Sequence, residues 1–325
     1  MNSKRQKICL LFCGGSGLNS DSSVISVSQE KDINRWIANI PELRILADIE
    51  PVFVTDKNGT KMNGSDWEKI SREIARRLDE FDGFVVTHDI EGIEYTAAAL
   101  TFAFANLPKP IIMTGSYRLP ARMLDLREVQ GISFRANLIN AIQIAKLDIA
   151  EVGLVFGNRI IKGIKAVKSR DASLNVFYPA DGKYLGRIDF KIILEKVQTR
   201  RNESPKIQAK FENCVELFKL YSQLPPGLLD LVLNEKLRGA VLELSDDLTF
   251  SEMDQNFIKA ISRQKKPVLL YSKDNNPKTS KEIMQISNMT LPATLIKLKW
   301  LLTQETAKEK IYQRMGENIA GEIIT

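Results

Sequence analysis

Two short segments, each following an apolar run, carry side chains that could do chemistry in this sequence. The run at 8–12 leads into Cys-Gly-Gly-Ser-Gly, which places a hydroxyl at Ser16, and the run at 84–87 leads into His88 and Glu91. Hydroxyl, imidazole and carboxylate groups are the ones that attack carbonyl carbons or carry protons in enzymes. Loops at the carboxyl ends of parallel strands converge on one crevice of an open α/β sheet. We therefore expect the two segments to face a single pocket.

Strand-like and helix-like patterns alternate from residue 7 to about residue 160, which indicates a parallel sheet with right-handed crossovers. A charged, turn-prone stretch follows before strand and helix patterns resume. The sequence predicts the α/β class, with a doubly wound, mostly parallel sheet in an N-terminal domain and a smaller C-terminal α/β domain. The expected bounds are 1–195 for the first domain, 196–212 for a linker and 213–325 for the second domain.

Two local features of the first domain are also predicted. The Ser-rich stretch at 18–28 reads as a polar loop, and Ser65 looks like the N-cap of a helix that continues to Leu78.

The composition excludes several classes of protein. With 44% apolar and 26% charged residues over 325 positions, the chain is an ordinary globular sequence, and no apolar run approaches the roughly 20 residues that span a bilayer. Cysteines at positions 9, 13 and 214 show neither a disulfide framework nor metal-ligand spacing. With one histidine, a zinc site would need unusual ligands. We expect a cytoplasmic protein without metal, cofactor or membrane contact.

The net charge of +6 and the pI near 9.0 raise nucleic-acid binding as an alternative. However, lysines and arginines are spread along the chain and interleaved with acidic residues. The densest basic cluster, at 162–170, does not lie on an evident binding helix. A solvated basic surface explains this pattern, so no nucleic-acid partner is expected.

The two segments resemble the signature motifs of the L-asparaginase family, TGGTIA and THGTDTMEET. Here the first reads CGGSGL at 13–18 and the second reads THDIEGIEYT at 87–96. Residues 107–116 are similar to NLPKPVVLTGS and residues 156–168 to FGNRVMRGNRATK, while 288–323 contain counterparts of DMT, KLMWLL and NLAGEI. Because ordered matches cover nearly the whole chain, the sequence is identified as a divergent member of this family, similar to the cytoplasmic type I enzymes.

The resemblance implies hydrolysis of a side-chain amide through a hydroxyl nucleophile, in a homodimer or homotetramer without a cofactor. Ser16 stands where the family has its first nucleophilic threonine, Glu91 where it has an aspartate, and Lys168 where it has the lysine of ATK. A base takes the proton of the hydroxyl, and the lysine tunes that base. Ser16, Glu91 and Lys168 are therefore the predicted catalytic residues.

Several positions depart from the motifs. Ile90 replaces a threonine and can neither attack nor donate a hydrogen bond, and Glu91 moves its carboxylate outward by one methylene. Asp89 replaces a glycine, so we expect it to crowd the turn and to disfavour an acidic substrate. A displacement of about 1 Å in a preorganised site costs on the order of a hundredfold in rate. These changes predict weak or altered activity.

The substrate positions implied by the resemblance are also altered. The family's DSSxM loop matches the segment ending at Met62, where Gly59 and Thr60 take the polar positions and only Thr60 keeps a hydroxyl. The family's GxGN loop has no counterpart after the strand at 240–244. The predicted substrate-binding residues are Gly15, Thr60, Thr87, Ile90 and Ser116.

Three functions stay open at this point. The first is an amidohydrolase that is weak on asparagine or retuned to another amide or ester. The second is a catalytically inactive homologue that binds a small molecule or an assembly partner. The third is the component of a tRNA-dependent amidotransferase that supplies ammonia, which we rank last because that component carries an extra N-terminal domain ahead of the first strand.

Overall fold

The computed structural model describes residues 5–20, 23–116, 134–169, 176–195, 205–220, 227–244, 255–273 and 283–324. Two compact units divide the chain, Met1–Ala209 and Lys210–Thr325. This boundary falls inside the stretch 196–212 that the sequence suggests as a linker. Residues 196–204 of that stretch lie outside the described residues. The domain bounds drawn from the sequence therefore stay a prediction.

The described part of the first unit contains fourteen strands and five α-helices, numbered in chain order. The strands are β1 (Lys7–Cys13), β2 (Leu18–Ser20), β3 (Ser23–Ile25), β4 (Asp48–Phe53), β5 (Gly83–Asp89), β6 (Phe104–Ala105), β7 (Ile111–Ser116), β8 (Val152–Phe156), β9 (Arg159–Lys162), β10 (Ala166–Lys168), β11 (Phe177–Pro179), β12 (Gly186–Ile188), β13 (Ile192–Leu194) and β14 (Lys206–Ile207). The helices are α1 (Ile33–Ala38), α2 (Leu43–Leu46), α3 (Gly64–Ala75), α4 (Ile93–Ala103) and α5 (Phe134–Ala145).

Eight of these strands form one sheet, in the order β13-β12-β9-β8-β7-β5-β1-β4. The five strands from β8 to β4 pair in parallel, whereas β9, β12 and β13 add antiparallel pairs at the other edge. The mostly parallel sheet predicted from the strand and helix alternation is therefore confirmed. Strands β1 and β5 lie inside the parallel part and read as nearly continuous apolar runs, because helices cover both faces of a parallel sheet.

One core cluster of this unit lies beneath β1. The Trp36 side chain is fully buried, and its ring meets the Phe12 ring edge to face with the centroids 4.9 Å apart. Phe134 of α5 packs on the same indole at 6.0 Å. Such aromatic contacts fix the segment that follows β1, since the indole Nε1–H also donates to the Ser16 carbonyl at 2.7 Å.

Two local expectations for this unit are wrong in detail. Residues in the range 18–28, expected as a polar loop, contain the antiparallel hairpin of β2 and β3. The helix α3 is capped by Asn63 rather than Ser65, because the Asn63 side chain accepts from the Ser65 N–H and Asp66 completes a capping box. Asn is as good an N-cap as Ser, so the Asn-Gly-Ser run allowed either start.

The second unit has its own four-stranded parallel sheet, β15-β16-β17-β18. Its strands are β15 (Val215–Leu220), β16 (Gly239–Leu244), β17 (Val268–Tyr271) and β18 (Met284–Ile286), and its helices are α6 (Leu228–Leu233), α7 (Gln255–Ser262), α8 (Leu291–Leu301) and α9 (Lys308–Gly316). Two units of α/β class, with the larger one first, agree with the fold class predicted from the sequence. Within the described residues, no helix is long and apolar enough to cross a membrane.

Candidate active site

The carboxyl ends of β1, β5 and β7 lie side by side in the sheet. Cys13 is in register with His88, and Asp89 is in register with Ser116. Hydrogen bonds connect the end of β7 to the segments that follow β1 and β5: Ser116 Oγ accepts from the Gly17 N–H at 3.0 Å, and the Ser116 carbonyl accepts from the Ile90 N–H at 3.2 Å. The two chemistry-bearing segments therefore meet at one edge of the sheet, where parallel sheets bind ligands.

The Asp89 side chain has a role that the motif comparison does not indicate. Asp89 is the last residue of β5 rather than a loop residue, and its side chain is buried. Its Oδ1 accepts from the Gly15 N–H at 2.9 Å, and its Oδ2 accepts from the Gly59 N–H at 3.0 Å. The expectation that Asp89 would crowd the turn is wrong, because its carboxylate joins the end of β5 to the segments of Gly15 and Gly59 through hydrogen bonds.

Ser16 is buried, and its hydroxyl already has a partner. The Ser16 Oγ accepts a hydrogen bond from the Val27 N–H at 2.9 Å. Together with the bond from Trp36 to the Ser16 carbonyl, this contact holds the residue within the first loop. The hydroxyl proton is still available for donation, so the chemical capacity of a nucleophile is kept.

Glu91 and Lys168 form a salt bridge, although they lie 77 residues apart. The Glu91 side chain is 54% exposed and the Lys168 side chain 27%, so this pair lies at the solvent boundary of the site. Beside it, burial raises the pKa of Glu94 above its ordinary value, against a backbone hydrogen bond and the Lys168 charge, both of which lower it. The carboxyl groups of Glu91 and Glu94 therefore both interact electrostatically with the Lys168 ammonium.

The predicted substrate-binding residues have different environments. Gly15, Thr87 and Ile90 are buried, and the Thr87 Oγ1 has no hydrogen-bond partner among the described residues. Thr60 is exposed, and its hydroxyl donates to Asn58 Oδ1 at 2.7 Å. Ser116 is half-buried, and its hydroxyl accepts from the Gly17 N–H. Ile90 is 1% exposed, so its side chain belongs to the protein interior.

His88, the single histidine, belongs to a buried network rather than to an open cleft. Its Nδ1 lies 2.7 Å from the Asp89 carbonyl oxygen, which can only accept, so Nδ1 of the neutral ring carries the hydrogen. Its Nε2 then accepts from Thr96 Oγ1 at 2.8 Å, and Thr96 Oγ1 accepts from Trp67 Nε1 at 3.1 Å. His88 is therefore a structural residue of the strand end.

Cys13 adds a second candidate nucleophile to the first segment, because it precedes the two glycines. The side chain is fully buried at the end of β1, and burial raises the pKa of the thiol far above its usual range. Thiols attack as thiolates. Cys13 is therefore a core residue, and Ser16 is the better nucleophile of this loop.

Comparison with known proteins agrees with the fold and the motifs. The family model "Asparaginase, N-terminal" matches residues 7–201. The L-asparaginase 1 of Escherichia coli is 25% identical over 352 residues and matches 98% of both chains. A glutamyl-tRNA(Gln) amidotransferase component of Methanosarcina mazei is 27% identical over 343 residues, covering 98% of this chain and 79% of its own length.

The fold is shared with solved L-asparaginases. The L-asparaginase I of Vibrio cholerae superposes with a TM-score of 0.80 at 24% identity, covering 99% of this chain and 100% of that one. The thermostable L-asparaginase of Thermococcus kodakarensis gives 0.79 at 23% identity, with coverage of 98% and 99%. Taken with the match of the family model over more than half of the sequence, these findings show that the chain belongs to the asparaginase family.

Proposed function

We propose that this protein is an amidohydrolase of the asparaginase family with a degraded site, whose turnover of asparagine is weak or has been redirected to another amide. The single observation that supports hydrolysis best is the salt bridge between Glu91 and Lys168. A carboxylate held by an ammonium is an arrangement that can take and return a proton. Ser16 is the proposed nucleophile, and Glu91 and Lys168 are the proposed proton-handling pair.

Three features support reduced activity. Ile90 offers a buried methyl surface where the family has a hydroxyl, and Glu91 is more than half exposed, so water weakens its electrostatic effect. The Ser16 Oγ already accepts from Val27, which constrains the direction from which it can attack. Each feature should lower the rate of attack on the amide carbon. None of them prevents a small amide from binding.

A second candidate function is a catalytically inactive homologue that binds a small molecule or an assembly partner. The buried Asp89 carboxylate favours this alternative, because it takes up two backbone N–H donors of the candidate site. The name of the Methanosarcina relative, part of an amidotransferase, makes an assembly partner a specific form of the same alternative.

We further propose a substrate class and an assembly from the motif resemblance, and the absence of nucleic-acid and membrane partners from the composition and charge distribution. The substrate class is a small amide, without nucleic acid or membrane as partner, and the assembly is a homodimer or homotetramer. A cytoplasmic location is proposed as well, in line with a Campylobacter jejuni structure described as a probable cytoplasmic L-asparaginase.

The decisive experiment is ammonia release from asparagine and from glutamine, measured beside ligand-induced thermal shift on the same preparation. We expect slow release that disappears in Ser16→Ala. Ser71→Ala is the matched control, because Ser71 is also fully buried, and its hydroxyl has no partner among the described residues. Turnover of asparagine at an ordinary enzymatic rate of about 10 per second would contradict the proposal. A thermal shift without any ammonia would favour the inactive homologue.

A further inference from the structure

The Asp89 carboxylate accepts hydrogen bonds from two backbone N–H groups that converge on it. Its two oxygens accept from the backbone N–H groups of Gly15 and Gly59, at 2.9 and 3.0 Å, and the side chain is 2% exposed. The two donors come from separate segments, which lie 74 and 30 residues before Asp89. Convergent N–H groups from separate backbone segments form a concave site suited to an anion.

The donor segments approach so closely that neither can carry a side chain. A Cβ on Gly15 would lie 1.7 Å from the His88 carbonyl oxygen, and Gly15 has a φ of +55°. A Cβ on Gly59 would lie 2.3 Å from the Glu91 carbonyl oxygen. Backbone thus packs directly on backbone around the carboxylate. We call the pair of N–H donors from Gly15 and Gly59 the carboxylate cradle.

We propose that Asp89 is an internal ligand of this cradle, which fills it and thereby keeps the carboxylate of any incoming ligand out of this part of the site. The cradle itself is independent of any catalysis. The consequence of the filled cradle for substrate choice rests on the amidohydrolase function proposed above. The protein should favour amides that carry no carboxylate at the position of the cradle over asparagine.

Removal of the Asp89 side chain should turn the cradle into an open site. Asp89→Gly leaves two buried N–H donors that have lost their acceptor, and such donors are costly until they find a new one. The side chain removed is a carboxymethyl group, which has the same heavy atoms as acetate, although non-bonded contact with the Cα of residue 89 requires acetate to lie farther out. Acetate and the smaller formate should therefore bind to the variant, whereas the filled cradle of the wild type should not respond.

The first test is the thermal stability of the full chain in sodium acetate against sodium chloride at equal pH and ionic strength. At about 100 mM acetate, Asp89→Gly should gain at least about 2–4 °C in Tm relative to chloride. The wild type should show no such gain. Asp32→Ala is the matched control, because Asp32 Oδ2 also accepts from two backbone N–H groups, Ser28 and Gln29, but at an exposed position. Water replaces that acceptor, so acetate should not stabilise Asp32→Ala.

An equal response of all three proteins to acetate, or none in Asp89→Gly, would overturn the proposal. If Asp89→Gly does not fold in chloride, the readout becomes the yield of folded protein purified in acetate against chloride, with the same two outcomes. Asp89→Asn supplies a second variant. Its amide fills the cradle but turns an NH₂ group toward one donor, so it should lose stability without recovery in acetate.

The second test addresses substrate choice through ammonia release from asparagine and from β-alanine amide, which is asparagine without its carboxylate. The ratio of the asparagine rate to the β-alanine amide rate should rise at least about tenfold in Asp89→Gly, because the vacated donors can then bind the substrate carboxylate. An unchanged ratio would refute the role in substrate choice. Absence of ammonia from both proteins would instead refute the amidohydrolase function, whereas the acetate result alone decides the cradle.

Discussion

The Asp89 carboxylate accepts a hydrogen bond from the Gly15 N–H, which joins the end of β5 to the loop after β1 at 2.9 Å. The same pair of segments carries Ser16 on one side and Ile90 with Glu91 on the other. This buried hydrogen bond holds the two loops in a fixed position relative to each other.

The first prediction concerns the two replaced motif residues. Ile90→Thr and Glu91→Asp together should raise ammonia release from asparagine at least about tenfold, and each alone less than about threefold, because groups that act as a unit give non-additive effects. The gain stays limited while Asp89 occupies the cradle. Steady-state ammonia assays on the single and double variants provide the measurement.

Ile93→Thr is the control for this experiment, since Ile93 is also fully buried and lies three residues further on. It should leave the rate of ammonia release unchanged. A double variant that binds asparagine, as judged by thermal shift, and yet stays inert would place the defect elsewhere in the site.

The second prediction uses the pH dependence of Glu94. Burial raises the pKa of Glu94 above 4.5 in the folded protein, so the unfolded chain loses this proton at lower pH than the folded one. The stability associated with the protonated side chain is present below the unfolded pKa and is lost as pH rises through the folded pKa. Glu94→Gln has no titrating group at this position and does not lose this stability. The Tm of Glu94→Gln minus the Tm of the wild type should therefore be larger at pH 7 than at pH 4.

Glu91→Gln is the companion variant. Glu91 raises the pKa of Glu94 through its charge, so the wild-type loss of stability between pH 4 and pH 7 should shrink when that charge is removed. A Tm difference between Glu94→Gln and wild type that stays constant with pH would show that Glu94 does not titrate in this range.

The sequence predicts the framework of the site better than its polar contacts. Apolar runs followed by Gly-rich or polar turns place β1 and β5 correctly, because burial on both faces of a parallel sheet requires such runs. The role of Asp89 could not be predicted, since its two donors are backbone groups that nearly every residue possesses. The glycines at positions 15 and 59 were the available signal: both are needed because the segments pack backbone on backbone.

The same limit applies to the hairpin of β2 and β3 and to the cap of α3. Strands of three residues are too short to show the alternating pattern that distinguishes a strand from a loop. Asn63 and Ser65 are both good caps, and only the capping box formed with Asp66 decides between them. Long-range pairs such as Glu91 with Lys168 came from the motif resemblance, because nothing in local sequence indicates which charges meet.

The third prediction tests the network around the single histidine. Thr96→Val removes the acceptor of the Trp67 indole and the donor to His88 Nε2, and losing such buried contacts lowers the free energy of unfolding by about 1–3 kcal/mol. Thr96→Ser keeps the hydroxyl and should lose about 0.8 kcal/mol or less, as expected for one buried methyl group. Urea unfolding of both variants distinguishes the hydroxyl from the methyl group, and equal losses would argue against the network.

The last prediction concerns the second unit, where Lys297 and Glu322 form a salt bridge at 2.5 Å with both side chains fully buried. Lys297 also donates to the Met315 carbonyl at 3.0 Å, and Glu322 accepts from the backbone N–H groups of Ile319 and Ala320. The pair therefore fastens the C-terminal segment to α8. Removal of one partner leaves an uncompensated buried charge, which costs about 3–5 kcal/mol.

Lys297→Met and Glu322→Gln should each lower the free energy of unfolding by this amount. The double variant should recover part of the loss, because no buried charge then remains. Arg238→Met is the control: Arg238 is 52% exposed and lies 3.9 Å from Glu212, and exposed pairs contribute about 0–1 kcal/mol. Fluorescence of Trp300, the tryptophan of this unit, reports the urea transition. A double variant as unstable as the sum of the two single variants would mean that the backbone contacts, rather than the paired charges, hold the segment in place.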